Sequence, residues 1–272
     1  GVGDGKGDAA HPAVHVAPHA ALAVQGVDYV LHQAALPSVP RSVTDPLASH
    51  EANATGTLKL LLAARDAGVK RLVYASSSSV YGDSPELPKH EEMPTRPRSP
   101  YAVNKLAGEE YCKVFTGVYG FPAIALRYFN VFGPRQDPTS QYAAVIPAFI
   151  TAALRGERPV VHGDGLQTRD FTSAQNVVEA NLLACDAPDA AGEAINVACG
   201  ERISLLDLLD QIGRITGRHI EPQFDPARPG DVKHSLADIR KAERLLGYVP
   251  SVSFAQGLER TIEYFRVEAE VR

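Results

Sequence analysis

From residue 27 onward the chain alternates short apolar runs with longer amphipathic stretches, and this rhythm limits its possible folds more than any other feature. Strands that alternate with helices in this way pair in parallel, and a parallel sheet needs helices over both faces. Residues 27–32, 71–75 and 123–128 read as strands, with helices expected over 45–68 and 100–118. Asp45-Pro46 and Ser99-Pro100 each place a capping side chain ahead of a first-turn proline, and Gly120 offers a stop. After Gly133 the rhythm loosens. A polar loop over 134–142 leads to a helix over 147–154 and two short strands within 160–172, around Gly163-Asp-Gly165. Helices follow over 176–186, 204–216, 236–246 and 254–265, the second with Leu205, Leu208, Leu209, Ile212 and Ile215 on one face. The expected class is α/β, a doubly wound parallel sheet with a smaller C-terminal α/β lobe.

The opening differs. Glycines at 1, 3, 5 and 7 and prolines at 12 and 18 break any strand or long helix, so residues 1–26 are expected to be poorly structured or divergent. His11, His15 and His19 would form a metal face only on a helix that those prolines spoil, so no metal site is expected. At 272 residues, with net charge −5 and 22% charged residues, the chain has no basic stripe for nucleic acid. No apolar run nears the roughly 20 residues that span a bilayer, and no secretory leader is apparent, so the expected location is cytoplasmic. Three scattered cysteines, Cys112, Cys185 and Cys199, suggest packed thiols rather than disulfides or zinc.

Chemistry concentrates in Ser99-Pro-Tyr-Ala-Val-Asn-Lys105 and the serine run Ser76 to Ser79 behind the strand at 71–75. A tyrosine and a lysine four apart stack on one helical face, so the ammonium can depress the phenol's pKa and hold a cofactor ribose. A serine hydroxyl at the carboxyl end of a parallel strand lies where open α/β sheets bind ligands. Together they imply reversible oxidation of an alcohol by hydride and proton transfer.

Five motifs in order, Tyr74-Ala-Ser-Ser-Ser-Ser-Val-Tyr-Gly82, the Ser99 to Lys105 segment, Arg127-Tyr-Phe-Asn-Val-Phe-Gly133, Arg169-Asp-Phe171 and Arg228-Pro-Gly-Asp231, resemble the nucleotide-sugar epimerases of the extended short-chain dehydrogenase superfamily. Through His32-Gln-Ala-Ala-Leu-Pro-Ser-Val-Pro-Arg41, Gln136-Asp-Pro138 and Asp231-Val-Lys-His-Ser-Leu-Ala-Asp238 the chain is most similar to the UDP-N-acetylglucosamine 4-epimerase branch. The resemblance implies a Rossmann-like doubly wound parallel sheet that is N-terminally incomplete, because the family's glycine-rich phosphate turn has no counterpart here. Residues 27–133, with returning segments over about 167–200, would form the NAD-binding unit, and 134–272 mainly the nucleotide-sugar lobe.

By the same resemblance Tyr101 is the base at the sugar's 4-hydroxyl, Lys105 holds the nicotinamide ribose, and Ser77 bridges the reacting oxygen, with Ser78 next to the substrate. Ala34 and Ala35 would let the cofactor NAD approach the sheet. Asn130 would contact the diphosphate region, Arg169 and Arg228 would neutralise the phosphates, Asp231 would orient Arg228 or a ribose hydroxyl, and Gln136 and Ser235 would border the sugar. Ser78 and Ser79 stand where the family's dehydratases carry an Asp-Glu pair, and serine is a poor general acid or base, which disfavours elimination. The expected reaction is NAD-dependent 4-epimerisation of a UDP-sugar through a 4-keto intermediate. The alternatives are a UDP-glucuronate 4-epimerase and a truncated, non-catalytic nucleotide-sugar-binding remnant. Family members pair the helices at 46–67 and 100–118 between subunits, so a homodimer is expected.

Overall fold

The computed structural model describes residues 18–137, 144–227 and 233–271. In chain order the first half comprises α1 (Pro18–Ala23), β1 (Tyr29–His32), α2 (Val39–Thr44), α3 (Pro46–His50), α4 (Gly56–Asp66), β2 (Arg71–Ser77), α5 (Pro100–Tyr119) and β3 (Ala123–Tyr128). The second half comprises β4 (Val131–Phe132), α6 (Val145–Arg155), β5 (Val160–His162), β6 (Thr168–Arg169), β7 (Thr172–Ser173), α7 (Ala174–Asp186), β8 (Ala194–Val197), β9 (Ile203–Ser204), α8 (Leu205–Thr216), β10 (Gln223–Asp225), α9 (Arg240–Leu246) and α10 (Phe254–Val271).

Strands β1, β2, β3 and β8 form one parallel sheet in that order. One face packs Leu72, Tyr74, Ala123 and Ala125 against α4 and α5 through Leu61, Ala64, Cys112 and Phe115. The other packs Val73, Ile124, Leu126 and Ile195 against α7 and α9 through Val177, Ala180, Ala184 and Leu246. Both faces are covered, as the near-continuous apolar runs of the inner strands require. A separate core joins α6, α8 and α10: Phe149, Ile150, Leu208, Leu209, Ile212, Leu258 and Ile262 are all buried there. Each side chain buried this fully contributes about 1.5–3 kcal/mol relative to exposure.

Several boundaries depart from the sequence reading. The expected helix over 45–68 is divided: α3 runs into a π turn, Glu51–Thr55, before α4 resumes. Helix α9 starts at Arg240 rather than 236, because the preceding segment is drawn into backbone pairing with Lys89 and Thr168. Strand β8, only four residues long, escapes the sequence pattern. Within the opening stretch expected to lack order, α1 forms and Val24 is buried against the α4 side of the sheet. His11 and His15 lie outside the described residues. Among the described residues no three His, Cys, Asp or Glu side chains cluster to hold a metal, and no helix is long and apolar enough to cross a membrane.

Candidate active site

Local chemistry at the start of α5 sets the site. Ser99 is extended, and its hydroxyl accepts from the Ala102 amide at 3.1 Å, while Pro100 occupies the first turn, so Tyr101 projects from the helix N-terminus. Two turns on, Gly108 lets the helix lie directly on β2: a Cβ there would stand 2.3 Å from the Tyr74 ring. That close approach brings Lys105 to the sheet, where its buried Nζ donates to the Ala75 carbonyl at 2.6 Å. An ammonium has three donors, and Ala75 is the hydrogen-bond partner that Lys105 finds among the described residues. The same nitrogen lies 5.1 Å from the Tyr74 ring centroid and 5.8 Å from that of Tyr101.

Of the four serines, Ser77 ends β2 and stands against Tyr101, where its hydroxyl favours the ionised phenol, and it also accepts from the Ser79 amide at 3.2 Å. Ser76 turns instead to Glu109. Ser78 begins a short 3-10 turn, Ser78–Tyr81. The structure corrects one expectation about charge. Burial pushes the Tyr101 phenol up and outweighs the opposing pull of Ser77, so the net shift is upward rather than the depression anticipated from Lys105. The lysine is the group brought down, to about 8, because burial penalises its charged form.

Residues to which the sequence assigns no role of their own support this corner. His32 at the end of β1 is buried, and burial, followed by the charge of Lys105, lowers its pKa to about 4. Thr57 already donates to the Asn53 carbonyl at 2.6 Å, which leaves its oxygen to accept from His32 Nε2 at 2.9 Å and assigns the Nε2–H tautomer. Asn53, in the π turn, grips the backbone of Leu36 in both directions: its Oδ1 accepts from the Leu36 amide at 2.7 Å and its Nδ2 donates to the Leu36 carbonyl at 3.0 Å. This clamp holds the loop that carries Ala34, which is exposed, and Ala35, which is half-buried. Asn and Thr within a helical stretch are weak helix formers, and that is the one local signal that marked them.

A second group surrounds a cleft of about 300 Å³ between β4, α6 and β5. Its polar lining is Asn130, His162, Gln167 and Arg169, set against apolar Val145 and Phe149. Asn130 has φ of 23°, a left-handed backbone that costs free energy in a non-glycine residue and is common at functional sites. Arg169 Nη1 donates to the Thr168 and Lys233 carbonyls at 3.0 and 3.2 Å, and the Ser235 amide donates to the Thr168 carbonyl at 3.0 Å, so the segment that carries Ser235 lies beside β6, bridged to it at Thr168 and His234. Gln136 Nε2 donates to the Val131 carbonyl at 3.4 Å, and its Oε1 is buried with no partner among the described residues. Gln167 Oε1 is in the same condition. His162 and Gln167 were not singled out from sequence. Arg228 and Asp231 lie outside the described residues.

A parallel sheet wound on both faces, with Ser77, Tyr101 and Lys105 gathered at the carboxyl end of its second strand, is the architecture of the short-chain dehydrogenase class of α/β enzymes. The chain belongs to the NAD dependent epimerase/dehydratase family, whose sequence profile matches residues 13–198. It is 39% identical over 244 residues to a UDP-glucose 4-epimerase of Mycolicibacterium smegmatis, covering 89% of this chain and 77% of that protein. Among solved structures it resembles the UDP-N-acetylglucosamine 4-epimerase of Methanobrevibacter ruminantium, in complex with UDP-N-acetylmuramic acid, with TM-score 0.88 and 41% identity over 92% of this chain and 80% of that one. It also resembles the UDP-glucuronic acid 4-epimerase of Bacillus cereus, in complex with UDP-glucuronic acid and NAD, with TM-score 0.85 and 34% identity over 92% and 78% of the two chains.

Proposed function

We infer that this chain is an NAD-dependent UDP-sugar 4-epimerase, and the observation that carries this reading is the convergence of Ser77, Tyr101 and Lys105. The cofactor, when bound, supplies the hydride acceptor and returns the hydride. The donor set fits it at the nicotinamide end, since Lys105 has N–H groups left for a ribose diol and the alanines beyond β1 present no bulk. Tyr101 takes the proton from the sugar's 4-hydroxyl and gives it back, Ser77 holds the reacting oxygen and favours the phenolate against the effect of burial, and Lys105 holds the nicotinamide ribose. Because Tyr101 starts from a raised pKa, the phenolate is a strong base once formed.

The cleft bordered by Asn130 and Arg169 suits the nucleoside diphosphate, with an apolar wall for the base and a guanidinium for phosphate oxygens. Arg228 is assigned to the same phosphates, Asp231 to orienting Arg228 or a ribose hydroxyl, and Ser78, Gln136 and Ser235 to the sugar. In this division 27–133, with 167–200, serves the cofactor and 134–272 mainly the nucleotide-sugar. Uncharged hexoses, N-acetylated or not, are the preferred substrates, and UDP-glucuronate is the second reading because glucuronate epimerases are comparably similar. Incubation with NAD and, in parallel, UDP-N-acetylglucosamine, UDP-glucose and UDP-glucuronate tests both: inversion at C4 is expected with the first two. NAD titration with no detectable binding would reduce the chain to a nucleotide-sugar binder.

A second copy is assigned to the exposed stripe Val103, Val114 and Val118 on α5, beside Leu47 of α3. Light scattering that gives a monomer at micromolar concentration would remove it.

A further inference from the structure

Behind the site runs a buried chain of polar groups that the proposed chemistry does not use. Glu109 lies on the same face of α5 as Lys105 and Tyr101, one and two turns further along. Its carboxylate receives Arg127 Nε at 2.9 Å and Nη2 at 2.7 Å, and Ser76 donates to the same carboxylate from β2. Arg127 Nη1 donates to the Tyr81 hydroxyl at 2.8 Å. Tyr81 in turn donates to Asn196 Oδ1 at 2.8 Å, across 115 residues of sequence. Asn196 Nδ2 donates to the Lys89 carbonyl at 2.9 Å and the Asp238 carbonyl at 3.2 Å. Its backbone amide is taken by Glu91 at 2.8 Å.

From Asn196 the connection continues to the far lobe. The segment 235–238 pairs with Lys89 on one side, and on the other the Ala237 amide donates to the buried Asp170 at 3.1 Å and the Ser235 amide to Thr168. Arg169 lies between those two anchors. Every member from Glu109 to Asn196 is buried, so each bond replaces hydration that the groups have lost, and breaking one leaves a partner unsatisfied. Core packing alone has no need of two charges, a phenol and an amide placed in series from the Tyr101 helix to the Arg169 strand.

We propose that Tyr81 and Asn196 are positioning residues, joining the helix that carries Tyr101 and Lys105 to the segment that carries Arg169 and Ser235, so that a sugar held by its diphosphate stands at a fixed height over Tyr101. The proposal rests on the epimerase reading above. Its mechanical part is independent of that reading.

The test is amide hydrogen exchange with and without UDP, on the full chain and on Tyr81→Phe and Asn196→Ala. Tyr81→Phe keeps the ring against Phe129 and removes only the hydroxyl. In the wild type UDP slows exchange over 168–171 and 233–238 and, through the tie, over 76–81 and 101–109 by at least about fivefold, the lower end of measured coupling between sites. In Tyr81→Phe and Asn196→Ala, UDP is expected to protect the first pair of segments and no longer the second. With NAD and a UDP-sugar, kcat falls roughly tenfold to a hundredfold at unchanged KM, as for a displaced reactant. Protection of 101–109 that survives in both variants overturns the proposal, as does its absence from the wild type. If UDP does not bind the wild type, the substrate reading fails, and the tie is judged on exchange without ligand: both ends must quicken in Tyr81→Phe, and quickening at one end alone overturns it.

Discussion

The two regions of this molecule bury their side chains on opposite principles. Where β1, β2 and β3 meet α5, His32, Lys105, Glu109 and Arg127 are all nearly inaccessible, each held by a hydrogen bond or a charge partner. Between α6, α8 and α10 the core is a cluster of apolar side chains, from Ile146 and Phe149 to Leu258 and Phe265, and the buried Thr261 of α10 turns its hydroxyl to the Gly257 carbonyl of its own helix. The first region gives up hydration to hold a few groups at fixed atoms, while the second gains from every methylene it encloses. Moving a proton at one oxygen requires the former. Forming the wall of a cleft requires only the latter.

Four experiments would break or sharpen that contrast. The largest effect is expected from Tyr101→Phe, which leaves the ring and removes the hydroxyl proposed to carry the proton: turnover falls by about 10²–10⁴ while UDP-sugar binding, measured by calorimetry, stays as in the wild type. Retained turnover would show that the base lies elsewhere. Next is Arg127→Met, which leaves Glu109 buried without its guanidinium and costs about 3–5 kcal/mol in urea unfolding. Adding Glu109→Gln to it restores much of that loss if the deficit comes from the orphaned charge. In the apolar region Leu208→Ala is expected to cost about 2–5 kcal/mol through a cavity, with no second substitution able to compensate by charge and no change in the pH dependence of stability.

The most gradual effect is a pH dependence that belongs to the polar region. Folded His32 takes its proton only near pH 4, whereas the unfolded residue takes it near 6.5, so between those values the unfolded chain binds the extra proton. Stability from this group is therefore complete above about 6.5 and is lost as the pH falls toward 4, by on the order of 3 kcal/mol in all. Urea midpoints measured across that window should show the decline, and His32→Gln should flatten it. An unchanged slope would place the acid sensitivity in other groups.

Much of the frame was legible because its signals are local. Ser99-Pro100 and Gly120 bounded α5 as their capping chemistry requires, and Ser204 with Asp207 forms the capping box that opens α8. Ser77, Tyr101 and Lys105 came together because a strand end and a helix start are set by neighbouring residues. Strand β8 carries a polar Asn196 within its four residues and so shows no apolar run, and the π turn leaves the apolar stripe nearly intact. Asn53, His162 and Gln167 act through residues distant in the chain or across a cleft, and no spacing rule announces them.

The sequence by itself determined the β/α order, the limits of α5 and the residue types able to move a proton and a hydride, since these depend on propensity and pattern within a few residues. Tertiary structure decided which way the Tyr101 pKa moves, because that depends on how much water the surrounding elements remove. It likewise decided that Glu109, Arg127, Tyr81 and Asn196 form one chain, because partners up to 115 residues apart meet only when the sheet has assembled. Hydration and long-range contact are properties of the packed molecule, and they turn a set of suitable residues into a site.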